Sequence, residues 1–78
     1  MGENYRPIAT KCFENYLKSI GYNHKRTTGS HDQWTKAGKR TIPVWGDEKQ
    51  LPAFHLKGNC KTLGITLSDL YAWAALNC

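Results

Sequence analysis

The chain has 78 residues, of which 40% are hydrophobic and 12% aromatic, enough apolar material to exclude a disordered tail. A chain this short buries roughly 60–65% of its unfolded surface, so its core is thin and excludes a large enclosed pocket. Eleven Lys and Arg against six Asp and Glu give a formal net charge of +5. Such a surface attracts polyanions, although basic residues also serve solubility alone. We expect one domain over residues 1–78 with its chemistry on an open face.

The cysteines and the hydropathy of the chain bear on its compartment. The chain has three cysteines, Cys12, Cys60 and Cys78. Their number is odd, they are widely spaced, and no two form a CxxC pair. This pattern favours three free thiols over a disulfide framework or a zinc site. No apolar run has the length of a membrane span, and the polar N-terminal residues do not fit a signal peptide. We therefore expect a cytoplasmic protein with no membrane association, metal or cofactor.

The first predicted element is a helix from about Pro7 to Ile20, since proline suits a first helical turn and apolar residues then recur at helical spacing. Gly21 is expected to end it. Three strands are predicted to follow, at about Tyr22–Thr27, Ser30–Lys36 and Arg40–Trp45. Gly29, with Ser30 beside it, is assigned to the structural turn between the first two strands, because glycine adopts positive φ readily.

Side-chain alternation assigns the two faces of the predicted sheet. Trp34, Ile42 and Val44 are expected on the core side, and His31 on the opposite, outward side. Pro43 lacks an N–H for a strand ladder, so the third strand is expected at a sheet edge.

Two more helices complete the predicted fold. One runs from about Pro52 to Leu63 and ends at Gly64, and the other follows a capping-box pattern at Thr66–Asp69. The predicted order is α-β-β-β-α-α. This is an α+β fold in which a three-stranded antiparallel sheet carries its helices on one face, as in double-stranded-RNA-binding domains.

Several landmarks occur in a fixed order along roughly residues 10 to 66. After the first helix come a glycine and an aromatic residue, a basic strand, the tripeptide Gly-Ser-His, and a strand ending in an aromatic residue. A glycine turn, an apolar-Pro-Val strand and a helix closing in Gly-Ile-Thr follow. In this chain they are Gly21-Tyr22, Lys25-Arg26, Gly29-Ser30-His31, Trp34, Gly38, Ile42-Pro43-Val44 and Gly64-Ile65-Thr66. This pattern resembles the HicA toxin family.

The resemblance implies a toxin of a type II toxin–antitoxin pair that cleaves mRNA, with a HicB-like antitoxin as its protein partner. Many members have two consecutive histidines, of which the first is essential. This chain has His31-Asp32 at that place, so the resemblance assigns the catalytic role to His31. Residues 67–78 are an additional C-terminal helix outside the family's usual core.

The residue types agree with that chemistry. Histidine has a reference pKa of about 6.5, so near neutrality it can act as general acid or general base on RNA, which supplies its own 2′-hydroxyl nucleophile. Cations on the flanking strands and turn are predicted to hold phosphates: Lys25, Arg26, Lys36, Lys39 and Arg40. His55 is expected to decorate a helix, and Trp45 to pack at the sheet edge rather than stack on a base.

Two alternatives remain open from the sequence. A non-catalytic module of double-stranded-RNA-binding type would use the same basic strands, and His31 would then be replaceable. A protein-interaction domain would instead use the aromatic C-terminal helix, with Trp73 as its contact.

Overall fold

The computed structural model describes residues 6–78. The N-terminal residues on which the signal-peptide argument rests lie outside this range. The elements in chain order are β1 (Ile8–Ala9), α1 (Thr10–Ser19), β2 (Asn23–Thr28), β3 (His31–Thr35), β4 (Ile42–Trp45), β5 (Gln50–Leu51), α2 (Ala53–Leu63) and α3 (Leu67–Asn77). The predicted α+β class is confirmed.

The main sheet contains three antiparallel strands in the order β2-β3-β4, which confirms both the predicted sheet and the edge position of the strand with Pro43. Trp34, Ile42 and Val44 are buried, as predicted for the core side. Helix α1 packs its buried residues Phe13 and Leu17 into the same core. Alternation was sufficient to assign these faces because only one face of the sheet is covered by the core.

A second, two-stranded sheet was not predicted. The expected helix start at Pro7 is wrong, because Ile8 and Ala9 are extended and pair with β5, Ile8 lying opposite Leu51. Thr10 then starts α1 and fastens it to the loop before β5, its N–H donating to the Lys49 carbonyl at 2.8 Å. Ile8 is buried, and a single buried apolar residue fits a strand as well as a helix, so the apolar periodicity could not separate the two at this point.

Helix α3 begins at the predicted capping box. The Asp69 N–H donates to the Thr66 hydroxyl at 3.0 Å, and the Thr66 N–H donates to the Asp69 carboxylate at 3.1 Å. Leu70 is fully buried, and the Trp73 ring makes an edge contact with Tyr16 at a centroid distance of 5.3 Å. The capped first turn and this packing hold α3 against α1.

The prediction of three free thiols is wrong. Cys12, on α1, and Cys78, the residue after α3, form a disulfide, while Cys60 is free and buried. Burial first, and then the charge of Asp69, raise the pKa of the Cys60 thiol to about 11. The pairing was missed because the two cysteines are 66 residues apart in sequence and no spacing rule reports such a distance. The compartment inferred from free thiols loses that support.

Candidate functional site

His31 lies at the start of β3, directly after a tight turn. Gly29 has φ of +62°, and with Ser30 it joins the paired residues Thr28 and His31. Glycine at the first central position suits a type II′ turn, whose twist matches that of a two-stranded hairpin. The Gly46 N–H donates to the Ser30 carbonyl at 3.0 Å, so the turn is also attached to the end of β4. The backbone that carries His31 is therefore fixed on both sides.

His31 belongs to the sheet face opposite the core. Trp34 is buried, so His31 and Gln33, at odd spacing from it, lie on the other face, as the alternation predicted. Their register partners on the neighbouring strands share that face. We define the outer face as the residues Arg26, Thr28, His31, Gln33, Thr35, Pro43 and Trp45.

The five predicted phosphate-binding cations fall into two groups. Arg26 lies on the outer face opposite Gln33, and Lys25 occupies the irregularity between His24 and Arg26 in β2. The other three, Lys36, Lys39 and Arg40, lie in the turn after β3, at the opposite end of that strand from His31. Five residues at about 3.3 Å each place Lys36 roughly 17 Å from His31 along the chain, not beside it. Lys36 also donates from Nζ to the Ile20 carbonyl at 2.6 Å.

A groove of about 390 Å³ opens beside His31 and is lined by Ser30, His31, Trp45, Asp47 and Glu48. Its volume lies within the range of small-ligand sites. Asp47 and Glu48 are exposed at this groove, and their carboxylates repel an anion that enters it. A polyanion at His31 therefore depends on cations outside the groove, of which Arg26 lies on the same face.

Trp45 connects His31 to α2. It is the register partner of His31 in β4, and its ring lies 4.5 Å from the ring of His55 and 5.6 Å from that of Phe54. His55 is thus packed on the sheet edge instead of simply decorating a helix, and Trp45 packs at this edge as predicted. Asn59, four residues after His55, is buried and donates from Nδ2 to the Pro43 carbonyl at 2.9 Å.

One residue of the sequence indicates this arrangement. Asn59 is a polar residue on the buried side of α2, and buried amides require hydrogen-bond partners. Its partners are a carbonyl on edge strand β4 and the ring of His55, 3.2 Å away, at the i, i+4 spacing that brings helix residues together.

Asp32 lies on the core side of β3 and takes no part in the outer face. It accepts a hydrogen bond from the Thr27 hydroxyl at 2.6 Å and lies 3.4 Å from His24 Nε2. The Thr27 hydrogen bond, with smaller contributions from His24, lowers the pKa of Asp32. A Cβ at Gly46 would lie 2.6 Å from this carboxylate, so glycine permits the close approach. Asp32 thus joins β2 to β3, next to the histidine on the opposite face.

Two further observations apply to the described part of the chain. Within residues 6–78, no helix combines the length and apolar character needed to cross a membrane. Among the same residues, no three His, Cys, Asp or Glu side chains gather in a way that could hold a metal ion.

The fold is a small α+β domain, compatible with the architecture of double-stranded-RNA-binding domains, and it presents a hairpin histidine on the uncovered face of its main sheet. The model of the family described as the HicA toxin of bacterial toxin-antitoxin matches residues 11–65, well over half of the chain. The chain belongs to the HicA toxin family. Comparison with curated proteins and with solved structures gives no match. The family match ends before α3, which begins at Leu67.

Proposed function

We propose that this toxin is an endoribonuclease that cleaves mRNA without a metal ion, with His31 as a general acid or base. The observation that carries the proposal is the position of His31 on the outer face of a chain matched by the HicA toxin family. Arg26 and Trp45 share this face. Arg26 offers a contact for an RNA phosphate, and Trp45 forms the wall of the groove beside the histidine.

The reaction needs only proton transfers and charge stabilisation. The 2′-oxygen of the RNA attacks the adjacent phosphorus as its proton is removed, and the bond from phosphorus to the 5′-oxygen breaks. The departing 5′-oxygen then takes a proton, which leaves a 2′,3′-cyclic phosphate and a 5′-hydroxyl. An imidazole can serve either transfer near neutral pH, and a nearby guanidinium stabilises the charge on the phosphorane.

Cleavage in the presence of EDTA tests the proposal. The purified chain is expected to cut a labelled RNA oligonucleotide as fast with the chelator as without it, and to leave cyclic-phosphate and 5′-hydroxyl ends. Products with 5′-phosphate ends, or loss of activity in EDTA, would contradict this chemistry. RNA that is bound but not cut would instead establish the non-catalytic RNA-binding module.

Arg26→Ala is expected to weaken RNA binding and flatten its dependence on salt. Each phosphate contact with single-stranded RNA contributes about 0.7 to the slope of log K against log salt. Loss of the outer-face guanidinium should therefore reduce that slope by about 0.7. The matched control is Lys61→Ala, since Lys61 lines a groove between α2 and α3. Equal slopes for Arg26→Ala and the native chain in a fluorescence-anisotropy titration would remove Arg26 from the RNA-binding surface.

Lys25, Lys36, Lys39 and Arg40 are proposed as further phosphate contacts. Because the last three lie at the far end of β3, RNA that reaches both groups must run along the sheet. Membership of a toxin–antitoxin family implies a cognate antitoxin. We propose that it is HicB-like and covers the outer face, and that the pair acts in the cytoplasm.

A further inference from the structure

Two imidazoles approach the same tryptophan at the edge of the main sheet. His31 is the direct cross-strand partner of Trp45, and side chains at such positions have their Cβ atoms about 4.5–5.5 Å apart. His55 approaches Trp45 from α2, with ring centroids 4.5 Å apart and planes inclined by 33°. The two histidines are therefore close neighbours although they are distant in sequence.

His55 is held in one orientation by a buried amide. Asn59 Nδ2 lies 2.9 Å from the Pro43 carbonyl oxygen and 3.2 Å from His55 Nε2, so each of its two hydrogens has an acceptor. An amide nitrogen only donates, which makes Nε2 of His55 the acceptor and places the ring proton on Nδ1. The ring that results is neutral and presents Nδ1–H as its remaining donor.

The surroundings favour this neutral form. Burial first, and then the charge of His31, lower the pKa of His55, against a smaller opposing effect of the Pro43 carbonyl. The influence of His31 on this pKa agrees with the closeness of the two rings. A half-buried, oriented and neutral N–H group close to His31 is suited to donate a hydrogen bond to an anion without transferring its proton.

We propose that His55 is a second catalytic residue, whose Nδ1–H donates a hydrogen bond to a non-bridging oxygen of the scissile phosphate while His31 transfers protons. Asn59 is then a positioning residue that fixes the tautomer of His55. This inference rests on the proposed ribonuclease function and extends it by assigning a stabilising group. His55 neither gains nor loses a proton in the reaction, so the proton balance stays with His31, the RNA and solvent.

The test compares single-turnover cleavage of one RNA oligonucleotide by the native chain, His55→Ala and His55→Gln. Glutamine keeps an N–H donor but cannot transfer a proton. Loss of one transition-state hydrogen-bond donor costs about 10²–10³ in rate, so His55→Ala should be slower by about that factor. His55→Gln should stay within about tenfold of the native rate. His24→Ala is the matched control, because His24 lies on the other face against Trp34, and it should cleave at the native rate.

Thermal unfolding of each variant separates loss of chemistry from loss of fold. A folded His55→Ala chain with the native rate would overturn the proposal. Equal and severe loss in His55→Gln and His55→Ala, both folded, would overturn the donor role, because it would show that the ring must transfer a proton. If the native chain itself does not cleave RNA, the ribonuclease function fails first, which the parallel reaction of the native chain reveals directly.

Discussion

Reduction of the Cys12–Cys78 disulfide is expected to lower the free energy of unfolding by about 4 kcal/mol. The bond closes a loop between residues 66 apart in sequence, and the conformational entropy it removes from the unfolded chain grows with loop length. A domain of this size has a total stability of only roughly 4–12 kcal/mol. The disulfide therefore contributes a large share of the stability, and it attaches the end of α3 to α1.

Urea unfolding, monitored by tryptophan fluorescence with and without a thiol reductant, measures this contribution. Cys78→Ser should unfold at lower urea than the oxidised native chain, and its midpoint should not respond to reductant. Cys60→Ser is the matched control, because Cys60 is outside the disulfide and the variant should keep the native response to reductant. A native midpoint that is the same in both conditions would show that the bond does not stabilise the fold. Reducing compartments keep such pairs as thiols. The toxin is therefore expected to be less stable in a reducing compartment than in an oxidising one.

His31→Ala is expected to slow RNA cleavage by about 10²–10⁴-fold, the usual contribution of a side chain that transfers protons. Its effect on stability should be small. The side chain lies on the outer face, away from the buried core of Phe13, Leu17 and Trp34, and surface substitutions usually change stability by less than about 0.5 kcal/mol. The substitution thus separates chemistry from folding in this chain.

Single-turnover cleavage and urea unfolding of the same His31→Ala sample measure both quantities. His24→Ala is a suitable control, because it removes another imidazole from the same sheet but on the face against Trp34. A His31→Ala chain that cleaves RNA at the native rate would remove His31 from the chemistry and leave the outer face as a binding surface.

Local patterns were sufficient where short-range rules decide the structure. The alternation of Trp34 with His31 fixed the two faces of β3, and Pro43 placed β4 at the edge. The capping box at Thr66 located the start of α3 to the residue. In each instance the physical cause lies within a few residues of the feature, so a single sequence contains the information.

The features that the sequence did not predict all join distant parts of the chain. Ile8 pairs with Leu51, Cys12 bonds with Cys78, and His55 packs on Trp45. Pairing of this kind depends on how β5, α2 and α3 fold back onto the earlier part of the chain, which periodicity does not report. The distance between His31 and the basic turn after β3 was not predicted for the same reason. The charge of this turn was evident in the sequence, but its distance from His31 depends on the direction of the strand.

Inducible expression in bacteria of the native chain, His31→Ala and His24→Ala, with RNA integrity followed in each culture, tests whether His31 makes this protein a ribonuclease toxin. Circular dichroism of the three purified chains controls for folding. The native chain and His24→Ala are expected to arrest growth and fragment transcripts, while a folded His31→Ala does neither. If His31→Ala arrests growth and fragments RNA like the native chain, His31 is not the catalytic residue and the proposed mechanism is wrong.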